Sequence, residues 1–575
     1  MKCAPRAGRV ARMARWLAGG VAAAGGIGIL AAGADAGARA ATGEGFGMRL
    51  RPAPREVAAI SPPAVIREAP TNETCLVARR DGTLELYAIG KPTSDTATVM
   101  RSTDGGLTWT EPVTAFRLHT RAYYAIQVLE ARDGTLHAVV HDFREGPGGY
   151  RGRLWEVHYT RRTPGGEWVK PRLIVPGYIG SIRGFVQLES GRLVLAVARA
   201  MPDRMEAPKT GPDLGWHNTF VYCSDDAGAT WRQSADELTL VLNGPNATRY
   251  GAIEPALLEL KDGRLWMLVR DRGGRLWQSF SRDGGSRWPP LERSPFISSD
   301  SPAALLRLRD GKILLLTNAC QNWTNPRSYA MGGREVLHAA ISADEGRTWR
   351  GFREVLHEPV AETRGDRGTA YASAVQNEAG KVVVVSGQGE GKRAILALDP
   401  RWLEQAQVVA DTSGGPVQWT AYGGQGLVSV GGKGDAAAGG VMIVGGKDAP
   451  SGASWNFPIA AAGELSFELS ATAEVEGLTL GLNDHFTRVD DRKAAEYAVF
   501  AVALPPAGPD RRVRLRWSGA TGSGTVVVDI DGKETARVSA RRPAQWGVNY
   551  LRVDFRAGAA ESGVAIRGLA MKIAP

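Results

Sequence analysis

One eight-residue string, S-x-D-x-G-x-x-W, recurs four times along the chain: STDGGLTW from Ser102, SDDAGATW from Ser224, SRDGGSRW from Ser281 and SADEGRTW from Ser342. Its tryptophans stand 122, 57 and 61 residues apart. The first gap holds two periods, because TRRTPGGEW, Thr160 to Trp168, keeps the paired glycines and the tryptophan. With Trp168 included, the spacings become 59, 63, 57 and 61. A fixed period near sixty marks one supersecondary unit used repeatedly.

Tight turns give a second, independent count. DGTLELY at Asp81, DGTLHAVV at Asp133, SGRLVLAV at Ser190, DGRLWMLV at Asp262, DGKILLLT at Asp310 and AGKVVVVS at Ala379 each lead into an apolar run. Asp-Gly and its kin tolerate the positive φ of a hairpin reversal. Six hairpins, most followed by a box, predict a six-bladed β-propeller over residues 55–404, each blade a four-stranded sheet. A strand from before Pro70 is expected to close it. The chain's 72 glycines and 32 prolines fit this all-β, turn-rich reading.

After Glu404 the boxes stop. Alternating stretches such as GELSFELSATAEV, GTVVVDIDG and YLRVDFRAG predict a C-terminal β-sandwich, jelly-roll or lectin-like, over residues 408–575. It would bind carbohydrate or brace the propeller. Asp529-Ile530-Asp531-Gly532 reads as a hairpin turn rather than a calcium loop.

Residues 1–40 run from a basic stretch, MKCAPRAGRVARMARW, into small apolar residues with A-x-A sites ending at Ala36 and Ala40. That is the pattern of an export signal, and implies a periplasmic or extracellular protein. An uncleaved anchor over Trp16 to Ala34 is the alternative, weakened by the modest hydrophobicity of glycine and alanine. Without residues 1–41 the net charge falls from +10 to +5. No basic run interleaved with aromatics suggests nucleic acid, and no further segment reads as membrane-spanning. Cys75, Cys223 and Cys320 lack the close spacing of metal sites; no metal or cofactor is expected.

Within each box the Asp can accept hydrogen bonds from backbone N–H groups of its own glycine turn, while the tryptophan packs back between strands. Carboxylates spread at sixty-residue intervals cannot form one catalytic pair. The box is structural, but it is specific as a marker: residues 55–404 resemble the sialidase (neuraminidase) superfamily of Asp-box (BNR) propellers.

That resemblance implies a Tyr nucleophile with a Glu partner, an Asp acid/base and three arginines clamping the substrate carboxylate. The family's Glu precedes the second Arg by sixteen residues around a D-G-x-L turn, and EPALLELKDGRLWMLVR supplies Glu254 and Arg270. Its third Arg lies eight residues before a box serine, which is Arg334. Its Tyr stands nine before the turn glycine of the last blade, which is Tyr371. The first arginine's place is held by Asn72, with Arg67 and Arg79 as nearby substitutes, and the acid/base falls on Asp95.

Position within the repeat supports the same grouping. Glu254 and Tyr371 each lie eight residues before the first residue of their turn, so they occupy equivalent places on inner strands. Arg270 lies eight after its turn's first residue, and the same place in other units holds His141 and Asn318. A carboxylate beside a Tyr can take the phenolic proton, so that a neutral nucleophile attacks an anomeric carbon whose own carboxylate would repel an anion. Arginines bind that carboxylate by bidentate, charge-assisted bonds. Each residue also has a plainer reading: Tyr371 as core, Arg270 and Arg334 as structural ion pairs with Glu254 and Glu335, Asp95 as a turn cap.

Three functions follow. The first is a secreted sialidase-like glycosidase releasing terminal sialic acid or a related acidic sugar. The second is a glycosidase or lyase on other uronic-acid polysaccharides, using His141, Tyr371 and Glu254. The third is a non-catalytic carbohydrate-binding propeller.

Overall fold

All six tight turns form as expected. Gly82, Gly134, Gly191, Gly263, Gly311 and Gly380 lie at φ between 79° and 90°, a backbone region open to glycine without penalty, and the strands flanking each pair antiparallel. The computed structural model describes residues 49–50 and 64–574, apart from 70–73, 90–93, 147–148, 202–215, 241–250, 322–332, 359–367, 389–392, 413–417, 432–438, 488–493, 506–507, 509 and 560. The expected signal, residues 1–40, and Asn72 lie outside the described residues.

The chain is all-β, with only two short 3-10 turns, Pro400–Glu404 and Ala494–Tyr497, among the described residues. Residues 64–398 form six antiparallel sheets, the first four built from consecutive strands. The first runs Thr74–Ala78, Leu84–Ile89, Thr96–Ser102, Val113–Arg117; the fourth runs Ile253–Glu259, Leu265–Arg270, Arg275–Ser281, Glu292–Ile297. In the sixth, Ser373–Gln376, Val382–Ser386 and Arg393–Leu398 take their outer strand from far upstream: Ala64–Ala69 pairs antiparallel with Arg393–Leu398. This is the strand expected from before Pro70. Arg49–Leu50 adds to the outer edge of the fifth sheet.

Each sheet packs on its predecessor through an apolar seam, and each seam holds a tryptophan. Trp168 meets Tyr87 and Phe116 of the first sheet, with ring centroids 6.1 and 5.0 Å away. Trp231 packs with Tyr159 of the second, Trp288 with Val194 of the third and Trp349 with Trp266 of the fourth. Trp109 joins Val383 and Val385 of the sixth sheet, so the packing returns to the first. The sixth sheet has no box, and Trp402, buried in the turn after its third strand, takes that place against the fifth, stacked under Arg353 at 3.9 Å.

The boxes share one hydrogen-bond scheme. Ser102 Oγ accepts from Gly106 N (2.9 Å) and donates to Asp104 Oδ1 (2.8 Å), which also accepts from Thr108 N (2.9 Å). Ser224/Asp226, Ser281/Asp283 and Ser342/Asp344 repeat it. The box aspartates are thus acceptors within turns, as expected. Gly106 sits at φ 101°, and a Cβ there would lie 3.0 Å from Val383 of the neighbouring sheet.

Residues 407–573 form two further antiparallel sheets, one carrying Gly463–Ala471, Arg511–Ser518 and Gly563–Ile573, the other Pro450–Ala460, Val475–Asn483 and Val548–Ala557. Their inward residues, among them Trp455, Phe467, Trp517 and Phe555, share one core. Asp531 and Gly532, at φ 51° and 82°, make a hairpin turn, as expected in place of a calcium loop. This region is tied to the fifth sheet by a buried relay: Tyr550 donates to Glu354 Oε1 (2.6 Å), while its hydroxyl meets His338 Nε2 (2.6 Å) and Ala319 N donates to His338 Nδ1 (3.2 Å). Phe486–Thr487 also pairs in parallel with Cys320–Gln321. Cys75, Cys223 and Cys320 are free and buried. Among the described residues no helix is long and apolar enough to cross a membrane, and no cluster of three metal-capable side chains occurs.

Two predictions follow from this wiring. Tyr550→Phe removes a partner from both His338 and Glu354 in a buried place, and is expected to cost about 2–4 kcal/mol, read as a fall in the urea unfolding midpoint. The box carboxyls lie below their ordinary value, Asp226 at about 2, because Thr230 and Ser224 hydrogen-bond the charged form. Their stabilisation is therefore present above the unfolded carboxyl value, about 3.9, and is lost as pH falls through the folded one. The melting-temperature gap between parent and Asp226→Asn should close between pH 4 and 2; a gap independent of pH would contradict the scheme.

Candidate active site

Two bulky residues adopt left-handed backbone at equivalent places: Glu254 at φ 53° and Tyr371 at φ 63°. Such a conformation is unfavourable for side chains of this size and persists only where the surroundings impose it. At Glu254 the cause is visible, since the pairing of Ile253–Glu259 with Leu265–Arg270 slips between Ile253 and Ala256, a bulge that re-aims the intervening side chains. At Tyr371 the chain enters through Gly368 and Thr369. Gly368 lies at φ 95°, and any Cβ there would strike Arg334.

The two side chains converge across 117 residues of sequence: the Tyr371 hydroxyl donates to Glu254 Oε1 at 2.9 Å. Arg270 Nη1 donates to the same phenolic oxygen at 2.8 Å and ion-pairs with Glu254 Oε2. Tyr371 and Glu254 are 2% and 3% exposed, Arg270 and Arg334 1% and 0%. Charged and polar side chains at such burial need partners of this kind.

Asp300 organises the arginines. Its carboxylate accepts from Arg270 Nε (2.7 Å) and Arg272 Nε (2.9 Å), and its backbone carbonyl accepts from Arg334 Nε (3.0 Å) and Nη2 (2.6 Å). Burial pushes the Asp300 carboxyl up, but Arg270, Arg272 and Arg334 outweigh it and hold the group below its ordinary value. Arg334 also bonds Gln388, and its guanidinium lies 5.5 Å from the Tyr371 ring centre. Arg183 approaches the same ring at 5.9 Å, and Arg393 donates to the Tyr371 carbonyl at 2.8 Å.

Four of the residues singled out from the sequence, Glu254, Arg270, Arg334 and Tyr371, therefore meet. Asn318 is buried one step behind them. It donates to Val336 O (2.7 Å) and to Thr369 Oγ1 (2.9 Å), and so supports the approach to Tyr371. His141 is buried against Trp155, ring centroids 6.0 Å apart, and its Nδ1 faces Ala125 N at 3.4 Å; no described contact links it to the cluster. Asp95 is half-exposed and pairs with Arg117 at 2.7 Å. Asn72 lies outside the described residues, as does the Arg67 side chain, and Arg79 is engaged by Glu130 and Glu85. Asp300, Arg183, Gln388 and Arg393 were not anticipated. Arg183 and Gln388 each stand one residue off the positions measured from the turns, and Asp300 and Arg393 lie further away, so a ruler taken from the repeat passes them by.

Residues 123–384 match the BNR repeat-like domain model. No curated protein matches the chain. Among solved structures the chain is similar to Trypanosoma rangeli sialidase, at 16% identity over 91% of this chain and 95% of that one, with a TM-score of 0.40. It is also similar to a protein of unknown function from Dyadobacter fermentans (19% identity, 61% and 99%, TM-score 0.42) and to NanB sialidase from Streptococcus pneumoniae (14%, 60% and 72%, TM-score 0.38).

The hub makes an asymmetric prediction. Asp300→Ala strips buried Arg270 of its Nε partner and should destabilise the protein by about 3–5 kcal/mol. Asp95→Ala breaks an exposed pair and should cost less than about 1 kcal/mol. Urea unfolding of both variants checks this, and equal costs would contradict the ranking.

Proposed function

We propose that this chain, whose residues 123–384 match the BNR repeat-like domain model, is a sialidase-like exo-glycosidase hydrolysing terminal sialic acid or a related acidic sugar from glycans. In this reading the six sheets are the blades of a β-propeller with the cluster at the mouth of its channel, and residues 408–575 form a β-sandwich domain. Residues 1–40 direct export.

The observation that carries the reading is the hydrogen bond from Tyr371 to Glu254, 2.9 Å long, with both residues in left-handed backbone. Strain shared by two touching polar residues is the signature of a site rather than of a core. In the first step the Tyr371 oxygen bonds the anomeric carbon as the bond to the aglycone oxygen breaks. The phenolic proton passes to Glu254, and the aglycone takes a proton from the acid, a role the family resemblance gives to Asp95. Water then attacks the same carbon and leaves its proton on that carboxylate. The electron pair of the carbon–Tyr371 bond returns to the phenolic oxygen, which regains its proton from Glu254. Two displacements retain the anomeric configuration. Arg270 and Arg334 supply the cationic wall for the sugar carboxylate.

The test is an assay of purified protein on a fluorogenic sialoside and a panel of uronic-acid glycans, beside Tyr371→Phe. Sialoside turnover that falls at least about a thousandfold in the variant is expected for loss of a covalent nucleophile. Turnover confined to uronides would replace the substrate class, and binding without turnover would remove the enzyme.

A further inference from the structure

Arg183 has no counterpart among the residues that the family resemblance points to, yet it reaches the centre of the cluster. It immediately precedes the inner strand Gly184–Gln187 of the third sheet. The close approach of that strand to the fourth sheet fixes it there, since a Cβ on Gly184 would come within 2.7 Å of the Pro255 carbonyl, next to Glu254. From this place Arg183 Nη2 donates to the carbonyl of Ala372, the residue after Tyr371, and the guanidinium lies 5.9 Å from the Tyr371 ring centre.

We infer that Arg183 is a positioning residue for Tyr371, holding the left-handed backbone through Ala372 and, together with Arg334, favouring negative charge on the phenol. The inference rests on the reading of Tyr371 as the reacting group. Two guanidinium groups within about 6 Å of one ring are within cation–π range, and each stabilises a phenolate more than a phenol. The described charged groups around Tyr371 are Glu254, which opposes ionisation, and Arg270, Arg334, Arg183 and Arg393, which favour it; Asp300 acts through Arg270 and Arg334. The moment of greatest charge on the Tyr371 oxygen comes when its bond to the sugar breaks, so a cation held beside the ring eases the second displacement.

The test reads the tyrosine directly. The phenolate absorbance of the full chain is titrated in parent and Tyr371→Phe, and their difference isolates Tyr371 from the other tyrosines. The same pair is then made in Arg183→Gln, which can still donate to the Ala372 carbonyl, in Arg183→Met, which cannot, and in Arg183→Lys, which keeps the charge. Loss of the cation should raise the Tyr371 midpoint by about one unit or more in both neutral variants, with Lys restoring most of it. A midpoint that stays in place in whichever neutral variant folds would overturn the inference, as would a shift in Met but not in Gln, which would assign Arg183 a purely structural role. Because the titration needs no turnover, failure of the sialoside assay would sink the glycosidase reading without deciding this one.

Discussion

The seam between neighbouring sheets is the constraint on which the rest of the structure depends. A four-stranded sheet buries one face poorly by itself, and here each gains its partner by inserting a tryptophan from its outer turn against the sheet before it. The box makes that insertion repeatable. Its serine and aspartate satisfy the backbone of a glycine turn, and the glycine lets the turn come close enough for contact, as Gly106 does with Val383 and Gly346 with Trp266. Six such seams place the inner strands of all six sheets side by side.

That placement explains how residues from the fourth, fifth and sixth sheets can share one buried network. Glu254, Arg270, Arg334 and Tyr371 are carried on strands or strand entries whose relative positions are set tens of residues away, at the outer turns. Rigid seams also offset local strain: left-handed backbone at Glu254 and Tyr371 is unfavourable by itself, of the order of 1–3 kcal/mol each, and persists because the bulge at Ile253/Ala256 and the packing of Gly368 on Arg334 leave no alternative path. Asp300 supplies the remaining condition. A carboxylate between Arg270 and Arg272 and a carbonyl facing Arg334 offset the mutual repulsion of three neighbouring cations.

The legible part of this protein was the part written in periods. Trp168 could be found although its box had lost the serine and aspartate, because the tryptophan's task in the seam outlasts the turn chemistry that usually presents it. Glu254 and Tyr371 could be found because equivalent positions on inner strands are measurable from the turn glycines. The same ruler returned Asn318 and His141, and the structure shows why equivalence is not identity. Asn318 spends its amide on Val336 and Thr369, and His141 is stacked under Trp155. Asp300, Arg183 and Gln388 lie in the connections that enter or leave strands, Arg183 and Gln388 one residue off the measured positions, where alternation does not mark a residue. Trp402 escaped for a related reason, since it fills its seam from a 3-10 turn with no box around it.

Residues 407–573 bear on the site through the fifth sheet. The Tyr550 relay ends at Glu354 and His338, and His338 in turn receives the N–H of Ala319, the neighbour of Asn318. The pairing of Phe486–Thr487 with Cys320–Gln321 begins at the next residue, and Gln321 reaches the carbonyl of Gly274, four residues beyond Arg270. Asn318 steadies Thr369, and Thr369 leads directly into the strained turn at Tyr371. A chain of buried hydrogen bonds, joined through the Asn318–Ala319 peptide link, thus runs from the C-terminal sheets to the entry of Tyr371. Bracing of this kind acts on a backbone segment whose geometry is unfavourable and whose hydroxyl meets Glu254.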